Sequence, residues 1–212
     1  MDITFFIDFD GTITKQDTCT ATTEAFARGD WTRFEMAWRE GKITTEDCSR
    51  GILQLFDADE KKLKQFLTEK IEIDPHFIPF LNLCRQKGYD IYILSDGYDV
   101  NIKTVLKKYQ ISDLPYFANR LITDKDFLDI ECTYKSDCGQ CGTCKTGLMK
   151  KLKKHKALAV YIGDGYSDVC AAKNCDVLFA KHHLLSYCRE NGIPANAFSD
   201  FSDIIHWVNT LD

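Results

Sequence analysis

The sequence lacks several features that would place the protein in a specialised class. No apolar run approaches the roughly twenty residues that a membrane-spanning helix needs. The first apolar run is broken by Asp8, and no basic segment precedes it, so a secretory signal peptide is not expected. Internal repeats and low-complexity stretches are also absent. We therefore expect a cytoplasmic protein that has no membrane partner.

An excess of positive charge is missing as well. The chain has 27 Lys and Arg residues against 32 Asp and Glu residues, which gives a net charge of -5. This balance does not indicate a broad nucleic-acid-binding surface, so no nucleic-acid partner is expected. A cytoplasmic location predicts that the 10 cysteines are mostly reduced thiols.

Two kinds of pattern divide the chain. From about residue 17 to 66, apolar residues recur every three or four positions and no strand is indicated. The remainder alternates predicted strands and helices, which favours a mostly parallel, doubly wound α/β sheet. We predict a core domain of residues 1–14 and 75–212, with a small helical domain, residues 15–74, inserted after the first strand. The predicted strands are 3–7, 89–94, 120–123, 127–132, 158–162 and 176–179.

The first predicted strand ends in a pair of carboxylates. Asp8 and Asp10 are two residues apart, so strand alternation would point both side chains to the same side. Neighbouring carboxylates repel each other and need a cation or a shared proton. One of them can attack as a nucleophile while the other transfers protons, with a divalent cation reducing the repulsion. Gly11 allows a sharp turn directly after the pair.

Polar residues also follow two other predicted strands. Ser95 opens a Ser-Asp-Gly turn, whose hydroxyl and amide groups can hold a phosphate. Asp164 follows a later strand and precedes Asp168 by four residues, and their carboxylate oxygens suit a magnesium ion. Ligands of doubly wound sheets bind outside the carboxyl ends of the strands. We therefore expect Asp8, Ser95 and Asp164 to share one site.

Taken in order, these residues resemble the four signatures of the haloacid-dehalogenase (HAD) superfamily in its phosphatase form. The first signature is similar to DFDGTIT at residues 8–14, and the second contains Ser95. Lys145, at a loop–helix junction, resembles the lysine of the third signature. GDGYSD at residues 163–168 is similar to the fourth. The helical block resembles a C1-type cap on a HAD-like (Rossmann-like) core.

The resemblance implies a phosphatase that uses Mg²⁺ and forms an aspartyl-phosphate. Asp8 would be the nucleophile and Asp10 the proton carrier. Mg²⁺ would be held by Asp8, the backbone carbonyl of Asp10 and Asp164, while Asp168 would hold a metal-bound water or a neighbouring lysine. The phosphate-binding residues implied by the resemblance are Gly11, Thr12, Ser95, Asp96, Gly97 and Lys145.

Two motifs favour one branch of this superfamily. CGTCK at residues 141–145, together with DFDGTIT, is similar to the methionine-salvage branch, whose enzymes dephosphorylate 2-hydroxy-3-keto-5-methylthiopentenyl-1-phosphate. Phosphoserine phosphatase is the alternative. That family has Glu where this chain has Asp17, a candidate substrate contact, and usually Ser where this chain has Gly11. A phosphomutase also stays open, because its core residues would look much the same.

The cysteines suggest a function of another class. Cys138, Cys141 and Cys144 have Cys-x2-Cys-x2-Cys spacing, with Cys132 upstream, and could form a zinc or redox site. The competing interpretation is a loop that packs small side chains under the active site. The sequence as a whole favours an enzyme that acts on a small phosphorylated metabolite as a monomer or homodimer.

Overall fold

A computed structural model describes residues 2–124, 127–136 and 139–211. The strands are β1 (Ile3–Ile7), β2 (Asp90–Tyr98), β3 (Tyr116–Asp124), β4 (Phe127–Glu131), β5 (Leu158–Gly163), β6 (Val177–Ala180) and β7 (Asn196–Ala197). The helices are α1 (Thr18–Phe26), α2 (Thr32–Arg39), α3 (Thr45–Leu53), α4 (Glu60–Lys70), α5 (Phe77–Lys87), α6 (Asp99–Lys108), α7 (Lys145–Leu152), α8 (Val169–Ala172), α9 (His182–Glu190) and α10 (Phe201–Asn209). Within these described residues, no helix is long and apolar enough to cross a membrane.

Two compact units make up the chain. The first unit comprises Met1–Lys15, Ile73–Leu94 and Lys145–Asp212, and the second comprises Gln16–Glu72 and Ser95–Cys144. Strand β2 therefore starts in the first unit and ends in the second. The predicted cap, residues 15–74, covers only the earlier segment of the second unit and stays a prediction about domain organisation.

The first unit is built on parallel strands in the order β2-β1-β5-β6-β7. Phe5 of β1 is in register with Ile91 of β2 and with Val160 of β5. All five residues of β1 are buried, as expected for a central strand with helices on both faces. Phe5 packs edge-on against Phe80 of α5, with ring centroids 5.1 Å apart. The predicted α/β fold class is confirmed.

The second unit combines helices with an antiparallel hairpin. Strands β3 and β4 pair with Leu121 opposite Ile130. Helix α3 begins at a capping box, in which the Thr44 hydroxyl accepts from the Asp47 amide and the Asp47 carboxylate accepts from the Thr44 amide. The apolar core of this unit consists of Leu53, Leu63, Tyr98, Val100, Leu121, Leu128 and Ile130.

Element boundaries differ from the sequence-based expectations at several points. Strand β2 continues to Tyr98 instead of ending at residue 94, so Ser95 lies within a strand. A polar residue ends an apolar pattern in the sequence, but it does not end an extended backbone. Helix α5 ends at Lys87, because Gly88 takes a left-handed conformation with φ 71°. The predicted hairpin turn includes Lys125 and Asp126, which lie outside the described residues.

Candidate active site

Asp8 stands directly at the carboxyl end of β1, an interior strand of the first unit. Its amide donates to the carbonyl of Ile162 in β5 at 2.9 Å, so the two strands hold its backbone in place. The residue is only 4 % exposed. Strand geometry ends at Ile7, and Asp10 lies in the following turn with φ -75° and ψ 117°. Strand alternation, which the sequence analysis used, therefore does not set the direction of Asp10.

A tight turn over residues 9–13 follows Asp8, and Gly11 is essential to it. Gly11 has φ 76°, a conformation that side-chain-bearing residues rarely adopt. A Cβ atom at this position would also lie 2.5 Å from Asp164 Oδ2. The turn is closed by Thr14, whose hydroxyl donates to the Phe9 carbonyl at 3.0 Å and accepts from the Gly11 amide at 3.1 Å. Thr12 donates its hydroxyl hydrogen to Asp164 Oδ1 at 3.0 Å.

Lys145 is the first residue of α7 and is buried together with Asp8. Its Nζ lies 2.5 Å from Asp8 Oδ1 and 2.6 Å from Asp168 Oδ1, and it donates to Ser167 Oγ at 3.2 Å. Burial lowers the pKa of Lys145, but the carboxylates of Asp168 and Asp8 outweigh this effect and raise the pKa well above its usual value. These carboxylates therefore favour the charged form of Lys145 beside Asp8.

Asp168 is fully buried and is surrounded by donors. Besides Lys145, Oδ1 accepts from the Tyr161 hydroxyl. Oδ2 accepts from the amides of Asp164 at 3.0 Å and Gly165 at 2.9 Å. These bonds fix both the ammonium of Lys145 and the backbone of the loop that carries Asp164.

Carboxylate oxygens of Asp8, Asp164 and Asp168 lie within 4.8 Å of one another, and we call this group the carboxylate cluster. Burial, followed by the charge of Asp168, raises the pKa of Asp8 well above its ordinary value, although Lys145 opposes the shift. The same two causes raise the pKa of Asp164 to about 7, against the hydrogen bond from Thr12. These three carboxylates outnumber the buried ammonium of Lys145 and the half-buried Lys181, whose charge also acts on Asp164. A bound cation would relieve this charge imbalance.

The other predicted site residues belong to the second unit. Ser95 is 1 % exposed, and its Oγ accepts from the Gly97 amide at 2.9 Å. The Asp96 carboxylate accepts from the Thr143 amide at 2.7 Å and the Thr45 hydroxyl at 2.9 Å. Asp17 is the N-cap of α1, and its carboxylate accepts from the Thr20 amide at 2.7 Å. A local helix-capping role therefore already accounts for Asp17.

The structure places the candidate zinc ligands as follows. Cys138 lies outside the described residues. Cys132, Cys141 and Cys144 are half-buried thiols that form no disulfide. Within the described residues, the groups whose ligand atoms lie close enough to share a metal ion include none of these three cysteines.

The sequence analysis did not predict two residues of the first unit that interact with the carboxylate cluster. Tyr161 lies in the middle of β5, and its ring is fully buried beneath Asp168. Its one sequence signal is a phenol in an otherwise aliphatic strand, since a buried hydroxyl needs a partner. Lys181 follows β6 and is half-buried, and its charge lowers the pKa of Asp164.

Comparison with known proteins supports the resemblance to phosphatases independently of the site geometry. The profile of the protein family described as "Putative Phosphatase" matches residues 3–204. The 2-hydroxy-3-keto-5-methylthiopentenyl-1-phosphate phosphatase of Bacillus cereus (strain B4264) is 30% identical over 213 residues, covering 96% of this chain and 94% of that protein. The enzyme of the same name from Brevibacillus brevis is 28% identical, covering 96% and 93% of the two chains.

Solved structures show the same fold. A substrate-bound phosphoserine phosphatase complex superposes with a TM-score of 0.72 and 19% identity, covering 98% of each chain. The predicted HAD resemblance is confirmed by these matches, which together with the family profile account for nearly the whole chain. This chain is a phosphatase of the Putative Phosphatase family, and its fold is that of the HAD-type phosphoserine phosphatases.

Proposed function

We propose that the protein is a magnesium-dependent phosphatase that hydrolyses a small phosphate monoester through an aspartyl-phosphate on Asp8. The observation that carries this proposal is the burial of Asp8 at a strand end, with Lys145 Nζ 2.5 Å from its Oδ1. A buried carboxylate held against a fixed ammonium is oriented for attack at one position. The Lys145 ammonium also places a positive charge beside Asp8, where it can stabilise the phosphate group of a bound substrate.

A magnesium ion fits the residues of this site. The carboxylate cluster offers hard oxygen ligands, and its charge exceeds that of the single buried ammonium. Asp168 already accepts four hydrogen bonds, so Asp8 and Asp164 are the side chains that would hold the ion, with the Asp10 carbonyl as a further ligand. A bound Mg²⁺ would supply charge neutralisation at the phosphate oxygens.

The first half-reaction transfers the phosphoryl group to the enzyme. A carboxylate oxygen of Asp8 attacks phosphorus, and the bond from phosphorus to the ester oxygen breaks. Asp10, two residues along the turn, donates a proton to the departing alkoxide. Lys145, held by Asp168 and Ser167, stays charged throughout and stabilises the transferred group.

The second half-reaction regenerates the enzyme. Asp10, now a carboxylate, removes a proton from a water molecule, and the resulting oxygen attacks phosphorus. The bond between phosphorus and Asp8 breaks, which releases inorganic phosphate and restores the Asp8 carboxylate. Ser95 and the amides around Gly11, Thr12 and Gly97 are the proposed hydrogen-bonding partners of the phosphate oxygens.

For the substrate, we favour 2-hydroxy-3-keto-5-methylthiopentenyl-1-phosphate. Relatives that carry this activity in their names match nearly the whole chain, including a protein that is 30% identical. The phosphoserine phosphatases that superpose on the chain are 16–20% identical and support the fold alone. The cytoplasm is the proposed location of the enzyme.

The test is a phosphatase assay on metal-stripped protein with and without added Mg²⁺. The substrates are the methionine-salvage compound, phosphoserine and p-nitrophenyl phosphate. We expect activity only with Mg²⁺, and a kcat/KM at least ~10-fold higher for the methionine-salvage compound than for phosphoserine. The reverse order of kcat/KM would reject the proposed substrate while leaving the phosphatase assignment intact.

Replacing the nucleophile tests the chemical role. Asp8→Asn should lower kcat by at least about 10⁴-fold, because an amide cannot form the acyl-phosphate. Asp2→Asn, an exposed position before the same strand, is the matched control and should leave kcat unchanged. Appreciable Mg²⁺-dependent turnover by purified Asp8→Asn would exclude Asp8 as the nucleophile.

A further inference from the structure

Asp96, a half-buried residue, lies at the centre of a hydrogen-bond network in the second unit. Its Oδ1 accepts from the Thr143 amide at 2.7 Å and from Asn119 Nδ2 at 3.2 Å. Its Oδ2 accepts from the Thr45 hydroxyl at 2.9 Å. We call these four residues the Asp96 hub. Together they join the end of β2, strand β3, the start of α3 and the segment before α7.

Asn119 completes the hub from the middle of β3. Its side-chain amide also donates to the Asp96 carbonyl at 2.7 Å, and its Oδ1 accepts from the Thr143 hydroxyl at 3.1 Å. Asn119 is 0% exposed and Thr143 1%. A Cβ atom on Gly142 would lie 2.6 Å from Asn119 Oδ1. The Gly-Thr step of the CGTCK motif is therefore explained by close packing on Asn119.

The hub holds two segments that lead directly into the proposed machinery. Asp96 is the residue after Ser95, so fixing its side chain and its carbonyl fixes the backbone that presents the Ser95 hydroxyl. Thr143 is two residues before Lys145, so the bond from its amide holds the segment that leads to Lys145. A shift of about 1 Å in such a group can cost ~100-fold in rate.

The Asp96 carboxylate is poorly suited to the phosphate contact that the sequence analysis assigned to it. Each of its oxygens already accepts at least one hydrogen bond from the hub. An ionised carboxylate also repels the negative charge of a phosphate. Phosphate binding by this turn is therefore better assigned to the Ser95 hydroxyl and to backbone amides.

We propose that Asp96 and Asn119 are positioning residues for the phosphatase reaction, which hold the backbone of the Ser95 turn and of the segment that precedes Lys145 without touching the substrate. This inference rests on the proposed function. It predicts that loss of either side chain lowers kcat because the same segments move. It also predicts that the losses in kcat caused by removing the two side chains are not additive.

The test compares kcat for Asp96→Ala, Asn119→Ala and the double variant with p-nitrophenyl phosphate at saturating Mg²⁺. Each single variant should lose ~10–100-fold in kcat, and the double variant should lose no more than the worse single one. Asp96→Asn should retain more kcat than Asp96→Ala, because its side-chain oxygen can still accept from the Thr143 amide. Hydrogen exchange across residues 139–152 should be faster in Asp96→Ala than in wild type.

Asp59→Ala is the matched control, because it removes the N-cap of α4, a helix of the second unit that contributes no residue to the hub. It should lower the Tm and leave kcat unchanged. The inference would be overturned if the kcat losses of the two single variants multiplied in the double variant. It would also be overturned if the variants lowered only the Tm, or if they changed only KM. Should Asp96→Ala not fold, Asp96→Asn and Thr45→Val carry the same comparison. An inactive wild type would instead overturn the proposed function itself.

Discussion

Two buried carboxylate centres, one in each unit, are satisfied in opposite ways. In the carboxylate cluster, three acidic groups face the single buried ammonium of Lys145, and the pKa values of Asp8 and Asp164 are raised. In the Asp96 hub, one carboxylate is matched by donors from three other segments of the chain. An excess of buried negative charge destabilises the fold, and such clusters are typical of functional sites, so the carboxylate cluster is the candidate active site. A fully hydrogen-bonded carboxylate marks a place where backbone segments are held.

Among the substitutions that test this comparison, removal of the Lys145 ammonium should have the largest effect on stability and on kcat. Lys145→Met leaves Asp8 and Asp168 without their buried counter-charge, so the free energy of unfolding should fall by ~3–5 kcal/mol. The loss of phosphate stabilisation should lower kcat by ~10²–10³-fold. Thermal denaturation and steady-state kinetics measure the two effects. Lys151→Met, on the same helix, is the control and should change neither quantity appreciably.

Neutralising one member of the carboxylate cluster should stabilise the metal-free protein. The pKa of Asp164 is raised from 3.8 to about 7, so its ionisation destabilises the fold increasingly as pH rises across that interval. Asp164→Asn removes this cost and should increase the free energy of unfolding by ~1–3 kcal/mol at pH 8, and by less at pH 5. The half-saturating Mg²⁺ concentration should rise at least ~10-fold. A lower stability of metal-free Asp164→Asn at pH 8 would contradict the charge imbalance.

Crowding the Asp96 hub should have a smaller, purely destabilising effect. Gly142→Ala places a Cβ against Asn119, which should cost ~1–3 kcal/mol of unfolding free energy as the two segments separate. Gly165→Ala is the control for the loss of a glycine, since its nearest contact would be an ordinary 3.9 Å from Asp168. Chemical denaturation distinguishes the two. Equal stability of Gly142→Ala and wild type would show that the hub tolerates displacement.

The smallest change in unfolding free energy is expected for an exposed ion pair. Lys103 and Asp99 form a 2.5 Å pair on α6, but the lysine side chain is 57% exposed. Solvent screening should limit the effect of Lys103→Met to within ~0.5 kcal/mol in unfolding free energy. A loss as large as that of Lys145→Met would mean that burial is not what distinguishes the two centres.

Local sequence motifs predicted site residues, but they did not predict residues whose hydrogen-bond partners are distant in sequence. Asp8, Asp164 and Lys145 were identified because each sits in a short local motif, and the first unit brings these three side chains together. Asn119 and Tyr161 have no such motif. Their importance comes from hydrogen bonds to residues far away in sequence, such as Asn119 to Thr143, and local patterns cannot encode these.

The same distinction applies to Asp96, whose predicted phosphate contact stays a prediction. It lies in the Ser-Asp-Gly turn, and the sequence suggested phosphate binding for the turn as a whole. The fold instead surrounds its carboxylate with Thr45, Asn119 and Thr143, which come from three separate segments. A motif can identify the turn, but the partners of each side chain decide what that side chain does.

The most direct test of the central claim is chemical trapping of the phosphorylated enzyme. Wild-type protein is mixed with p-nitrophenyl phosphate and Mg²⁺, quenched in acid and treated with borohydride, which reduces an aspartyl-phosphate to homoserine. Peptide mass spectrometry then locates the modified residue. We predict homoserine at position 8 in wild type, and none in Asp8→Asn. Homoserine at position 10 or 164 in the wild-type enzyme would contradict the assignment of Asp8 as the nucleophile.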